Sequence, residues 1–204
     1  MTIRLHRCDL PDLSRYTGTA AIDTETMGLS LSRDRLCLVQ LSPGDGSADV
    51  VQIPANAHDA PNLKRLLADP GVLKIFHFAR FDLAMLYHAF GVMPGPVYCT
   101  KIASRLSRTY TDKHGLKDLV REVLGHEISK QQQSSDWGAP ELTDAQISYA
   151  AADVLYLHAL KERLDTMLAR EGRGKLAAAC FRFLPDRVRL DLAGFAEDDI
   201  FAHS

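Results

Sequence analysis

Four carboxylates in this sequence stand among residues that otherwise read as core. Asp23 and Glu25 interrupt AIDTETMGL (21–29), Asp82 follows the apolar run VLKIFHF (72–78), and Asp153 lies inside ISYAAADVLYL (147–157). Successive side chains of an extended strand alternate faces, so Asp23 and Glu25 point the same way. Tyr149 precedes Asp153 by four residues, which on a helix is one turn away on the same face. Buried, unpaired carboxylates are costly, and like charges side by side cost more. Something must neutralise them. Arg33, Lys74 or Arg80 could each pair with one acid, but the segments around Asp23 and Asp153 supply no adjacent base. Hard divalent cations are the alternative: Mg²⁺ and Mn²⁺ prefer carboxylate oxygens. Two such ions about 4 Å apart can hold the attacking and leaving oxygens of a phosphodiester. Asp23, Glu25, Asp82 and Asp153 have the number and type for that chemistry.

The elements that must carry these residues follow from pattern. Short apolar runs bounded by turn residues predict strands over 19–26, 35–42, 48–53 and 72–78, the middle pair joined by PGDG. Helical spacing predicts helices over 61–69, with Pro61 in its first turn, and over 80–91, closed by Gly91. Further helices are expected over 99–108, 115–125, roughly 143–171 and 173–183. Thr143 and Gln146 form a T-x-x-Q capping box at the start of the longest. The segment 184–204, rich in Asp and Phe, shows no evident helix. Strands first, then mostly helices, predict an α/β layered domain: a mixed central sheet flanked by helices, occupying residues 1–183.

With 204 residues, 46% of them hydrophobic, the chain can bury a substantial core in one domain. Its net charge of -2 argues against long-range attraction of a polyanion, so contact with nucleic acid must come from a local patch or bound metal. The basic stretch is 101–117, with Lys101, Arg105, Arg108, Lys113 and Lys117 against Asp112 alone. It reads as a solvated helix face or as a site for a 5′-phosphate. Cys8, Cys37, Cys99 and Cys180 form no C-x-x-C pair and read as free thiols. The N-terminus lacks the apolar core of a signal peptide, and no run approaches the ~18 apolar residues of a membrane span. The expectation is a cytoplasmic protein that does not meet a membrane.

D-T-E in a strand, H-F-A-R-F-D, and Y-A-A-A-D on a helix resemble the three exonuclease motifs of the DEDD superfamily, in its tyrosine branch. GLKDLVREVLG and ISKQQQSSDW between the second and third motifs are similar to the catalytic domain of ribonuclease D, and the resemblance covers roughly residues 19–170. Its short length, QQQSSDW and the FAEDDIFAHS ending look most like the small stand-alone nanoRNase C family. Two features depart from ribonuclease D. No helical nucleic-acid-binding domains are expected after residue 183, and the Arg-Pro that follows S-D-W in ribonuclease D is replaced by GAPEL.

The resemblance implies a ribonuclease H-like (DnaQ-like) fold and a metal-dependent 3′→5′ exoribonuclease with two Mg²⁺ or Mn²⁺ ions on Asp23, Glu25, Asp82 and Asp153. Tyr149 would orient the attacking water, since a tyrosine of ordinary pKa near 10 is a poor base. Substrates would be very short single-stranded RNAs, notably dinucleotides, cut to nucleoside 5′-monophosphates. The partner expected besides RNA is a second copy of the chain, in a ring-shaped homo-oligomer for which an octamer is one arrangement, with 184–204 as a contact. Leu29, with Met27 and Gly28, would pack against terminal bases, or Leu29 is a core leucine. His77 and Arg80 would meet a phosphate, or are a satisfied core histidine and a helix-start residue. Lys101, Arg105 and Arg108 would hold a 5′-phosphate. Gln131–Gln133, Ser134 and Ser135 would line a rim or fill a polar loop, and Trp137 would stack a base or simply be buried. Two other functions fit less well: an exonuclease trimming longer RNA or single-stranded DNA, and a degenerate domain that only binds nucleic acid.

Overall fold

The computed structural model describes residues 2–31, 33–55, 59–129, 131–132 and 134–203; Gln133 lies outside them. Six strands form one sheet: β1 (Thr2–Arg7), β2 (Thr19–Thr26), β3 (Leu36–Ser42), β4 (Ser47–Gln52), β5 (Leu73–Phe76) and β6 (Val97–Cys99). Their order is β1-β4-β3-β2-β5-β6, with β3 antiparallel to both neighbours and every other pair parallel. This is the mixed sheet that the sequence predicts.

Helices cover both faces. Against one face, α1 (Pro61–Ala68), α2 (Ala79–Phe90) and α7 (Gly174–Leu190) enclose a core that includes Ile22, Val39, Leu41, Leu66, Phe76, Leu83 and Val188. Against the other, α4 (Leu116–Leu119) with its π-helical extension Val120–Leu124, α5 (Asp144–Leu155) and α6 (Leu157–Arg170) pack on Ala21, Leu38, Val50, Ile75 and Tyr98. The remaining helix, α3 (Thr100–Ser107), packs on α6 and α7. The period-2 alternation within β2 and β3 sorts side chains into these two cores. Among the described residues, no helix is long and apolar enough to cross a membrane.

Four elements differ from the sequence expectation. Strand β1 was not anticipated: as an edge strand it buries few residues, and charged side chains mask its pattern. Strand β6 is only three residues, so the predicted start of a helix at 99 falls on its last residue. The long helix breaks at Tyr156 (φ -98°, ψ -7°), with no Gly or Pro to signal it. Finally, α7 runs past Pro185 to Leu190, continues as a π turn over Asp191–Phe195, and is held by the buried residues Ala177, Leu184 and Val188. Part of the segment expected to lack helix is therefore helical. The capping box is present as expected: the Thr143 hydroxyl accepts from the Gln146 N–H, and the Gln146 side chain accepts from the Thr143 N–H.

Candidate active site

Strand β2 delivers Asp23 and Glu25 to one face at the centre of the sheet. Its register with β3 shifts at Glu25/Thr26, a bulge that ends regular pairing at the rim of the cleft. Asp82 enters from the first turn of α2, whose N-cap, Phe78, holds a left-handed conformation (φ 65°) to turn the chain from β5 into the helix. Tyr149 and Asp153 come from α5, which lies across β2, β3 and β4.

The three side chains Asp23, Glu25 and Asp153 each bring a carboxylate oxygen within 4.8 Å of the other two. Asp82 is 3% exposed and accepts a 2.7 Å hydrogen bond from the Thr24 hydroxyl. Burial raises the pKa of all four acids. Neighbouring carboxylates add to this for Asp23, held well above the usual carboxylate range, and for Glu25, pushed up to about 9. Hydrogen bonds from Thr24 work in the opposite direction on Asp82, as the Tyr149 hydroxyl does on Asp153. Tyr149 is itself raised, by burial first and then by Asp153, Glu25 and Asp23, so its hydroxyl stays protonated.

The bases named as partners for these acids are committed elsewhere. Arg33 pairs with Asp34 at 2.8 Å, Arg80 pairs with Asp191, and Lys74 donates to the carbonyls of Asp69 and Gly95. No ion pair among the described residues includes Asp23, Glu25, Asp82 or Asp153. A half-buried, oxygen-only donor set with no cationic side chain paired to it is the environment that hard divalent ions take. The residues present fit such ions, with Asp23, Glu25 and Asp153 as direct ligand candidates and Asp82 beside them.

Asp23, Glu25 and Asp153 open into a cavity of about 370 Å³ that Leu29, His77, Phe78, Lys101, Lys117 and Tyr149 also line, while Asp82 lies behind its wall. A second cavity of about 400 Å³ lies beyond Leu29, walled by Glu25, Met27, Gly28, Ser134, Ser135 and Trp137. Leu29 borders both and is 83% exposed, so it is not a core leucine. Trp137 is buried, 5.9 Å from Tyr149 between ring centroids. At Gly28 a Cβ would run into the Asp34 carboxylate, which also accepts the Ser30 N–H, so the glycine lets this loop close tightly.

His77 hydrogen-bonds through Nδ1 to the Thr100 hydroxyl at 2.9 Å, and burial beside Lys101 pushes its pKa down to about 3. Lys101 lies over the Phe78 ring, its Nζ 4.2 Å from the centroid. The structure thus brings Leu29, Met27, Gly28, His77 and Lys101 to the two cavities. Three other expected substrate contacts lie outside both cavities. Arg80 is clamped by both Asp191 oxygens and the Ala196 carbonyl. Arg108 is 1% exposed, bound to Glu122, the Ser104 hydroxyl and the Lys113 carbonyl, so it is a buried strut. Arg105 is exposed on a neighbouring groove with Phe183 and Arg187, which shares Phe78 and Lys101 with the acidic cavity. Sequence reasoning missed Thr24 and Phe78, and named Lys117 only as one member of the basic stretch. The middle position of D-T-E was the available signal for Thr24, since a hydroxyl there faces the side from which α2 approaches.

Residues 12–169 match the 3′-5′ exonuclease family. Ribonuclease D of Gluconacetobacter diazotrophicus is 39% identical over 166 residues, which are 81% of this chain and 42% of that protein, so the chain spans well under half the length of this relative. Two solved structures of Brucella melitensis NrnC match over 100% of both chains. The one with bound Mg²⁺ is 62% identical with a TM-score of 0.96, and the one bound to pGG is 63% identical with a TM-score of 0.97. With three carboxylates gathered at the end of β2 and Tyr149 beside them, the chain belongs to the 3′-5′ exonuclease family, as an exonuclease of the ribonuclease D and NrnC type.

Proposed function

We propose that this chain removes nucleotides from the 3′ end of very short RNAs, dinucleotides above all, releasing nucleoside 5′-monophosphates. The observation that carries the reading is the placement of Leu29 between two cavities of about 370 and 400 Å³, with Glu25 on both walls. Two compartments on either side of one apolar side chain suit two bases flanking one phosphodiester. The full-length likeness to an NrnC solved with pGG supports the same substrate class.

The hydrolysis adds water at phosphorus, breaks the bond to the 3′-oxygen and leaves that oxygen as a hydroxyl on the shortened product. Two divalent ions, Mg²⁺ or Mn²⁺, would supply the water activation and charge stabilisation that this needs. The chain's own residues do the rest. Asp23, Glu25 and Asp153 hold the ions, and Asp82, fixed by Thr24, completes the acidic wall. The protonated Tyr149 orients the attacking water and does not deprotonate it, because its raised pKa makes it a poor base at neutral pH. Lys101 meets substrate phosphate, and His77, held neutral by burial, contributes hydrogen bonding without charge.

Phe195, Ile200 and Phe201 are exposed near the C-terminus, and an oligomer in which a second copy covers them suits that surface. Light scattering on the purified chain tests the assembly. Turnover of two-, three- and seven-residue RNAs, with Mn²⁺ and with chelator, tests the activity. Preference for the two-residue substrate is the expected result. A flat length profile would reject the dinucleotide specialist in favour of a trimming enzyme, and no metal-dependent turnover at all would leave a binding domain.

A further inference from the structure

Gln40 lies in the middle of β3 and is 0% exposed, yet neither its Nε2 nor its Oε1 has a hydrogen-bond partner among the described residues. Each buried polar group left unpaired destabilises the fold, because it has given up water for nothing. Native structures keep such groups rare, and each calls for an explanation. Packing alone does not supply one. Leu38, Val50 and Ala21 stand near it on the same sheet face, and a methionine or leucine would fill similar space. Two other polar residues on this face are satisfied: Ser42 donates to the Ser47 carbonyl at 2.7 Å, and Gln52 to the Ala139 carbonyl at 2.8 Å. Trp137 Nε1 and His158 Nδ1 are also unpaired, but Gln40 alone of the described residues has both of its polar atoms so.

Its strand partner supplies the explanation. The antiparallel register places Gln40 directly opposite Asp23. Opposed residues point to the same face with Cβ atoms about 4.5–5.5 Å apart, well within reach of a glutamine side chain. Helix α5 closes over this pair, with buried Ala150 and Ala151 letting it lie near β2 and β3, and it carries Asp153 to the same place. Gln40 therefore lies buried on the sheet face that α5 covers, next to the strand that carries Asp23. An amide is suited to this position because it adds no charge to a site already crowded with carboxylates.

We propose that Gln40 is a positioning residue for Asp23: its carboxamide hydrogen-bonds the Asp23 carboxylate, directly or through one bound water, when divalent cations occupy the acidic site, and so fixes the orientation of that ligand. The assignment rests on the reading of the acidic cluster as a divalent-cation site. Groups that orient a ligating side chain typically account for 10- to 100-fold in metal affinity.

The test compares wild type with Gln40→Met and Gln40→Leu, each stripped of metal, by thermal melting in chelator and across a Mn²⁺ titration. In chelator the Gln40→Met protein should melt at or above the wild-type temperature, because two unpaired buried groups have been removed. The Mn²⁺ concentration giving half the maximal thermal shift should rise about 10- to 100-fold, and turnover lost at low Mn²⁺ should return at saturating Mn²⁺. Gln40→Leu carries the same readouts if the methionine variant does not fold. If wild type shifts with Mn²⁺ and the variants follow at the same concentrations, the positioning role is overturned while the cation site stands. If wild type itself shows no Mn²⁺-dependent shift, the cation-site reading falls, and the role of Gln40 with it.

Discussion

The Thr24 hydroxyl reaches across from β2 to α2 and donates a 2.7 Å hydrogen bond to the carboxylate of Asp82. Its neighbours Asp23 and Glu25 point to the opposite face of the strand, so the D-T-E motif serves both sides of the sheet: two acids toward α5, one hydroxyl toward α2. Thr24→Val keeps the shape and removes the donor. Unfolding by denaturant at neutral pH should show a loss of about 1 kcal/mol, the net worth of one hydrogen bond, since backbone N–H groups still reach the Asp82 carboxylate. An unchanged midpoint would mean that Asp82 does not depend on Thr24.

The roles of Tyr149 and Asp153 separate by magnitude. Asp153→Ala should abolish measurable turnover. Tyr149→Phe, which keeps the ring beside Trp137 and loses only the hydroxyl, should lower turnover by about 10²-fold. Circular dichroism should show both folded. Full activity in either variant would remove that residue from the site.

Repulsion among the acids stores a response to metal. Adding Mg²⁺ or Mn²⁺ to chelator-treated protein should raise its melting temperature, by the equivalent of about 2.7 kcal/mol at a hundred times the dissociation constant. Asp23→Asn should blunt that rise, while its metal-free form melts no lower than wild type because one of the repelling carboxyls is gone. Differential scanning fluorimetry reads both effects. A full metal-induced rise in Asp23→Asn would place the ions elsewhere.

His77 gives the acid-side prediction. Its folded pKa is pushed down to about 3 from the ordinary 6.5, so between those values the unfolded chain binds the extra proton. Above pH 6.5 the residue contributes no slope. As pH falls from 6.5 toward 3, stability is progressively lost. His77→Gln should flatten that part of the stability profile, and NMR should find the imidazole of the folded protein neutral at pH 5. A charged ring at that pH would contradict its buried setting.

Much of this was legible in the sequence because the relevant signals are local. The period-2 spacing of Asp23 and Glu25, the four-residue spacing of Tyr149 and Asp153, and the Thr143–Gln146 capping box need no knowledge of tertiary structure. What stayed hidden depends on distant partners. Arg108 looks like one more surface charge until Glu122, fourteen residues on, is found holding it in the interior. Arg80, two residues from Asp82, reads as a phosphate contact until Asp191, more than a hundred residues later, claims it. Pro185 reads as a stop, but packing of Leu184 and Val188 carries α7 through it. Gln40 within LCLVQLS shows nothing unusual until its register opposite Asp23 is known.

The Asp191 carboxylate takes Arg80 from the start of α2 and Arg187 from α7 at once, and both arginines also reach the Ala196 carbonyl. This makes one acid near the C-terminus a fastener for the turn that presents Asp82. Handling of the protein is affected directly. A truncation or fusion joined at Ala196 would disturb that fastener, so inactivity of such a preparation would report on how it was built and not on the chemistry of the enzyme. Tags belong at the other end, where β1 forms the far edge of the sheet.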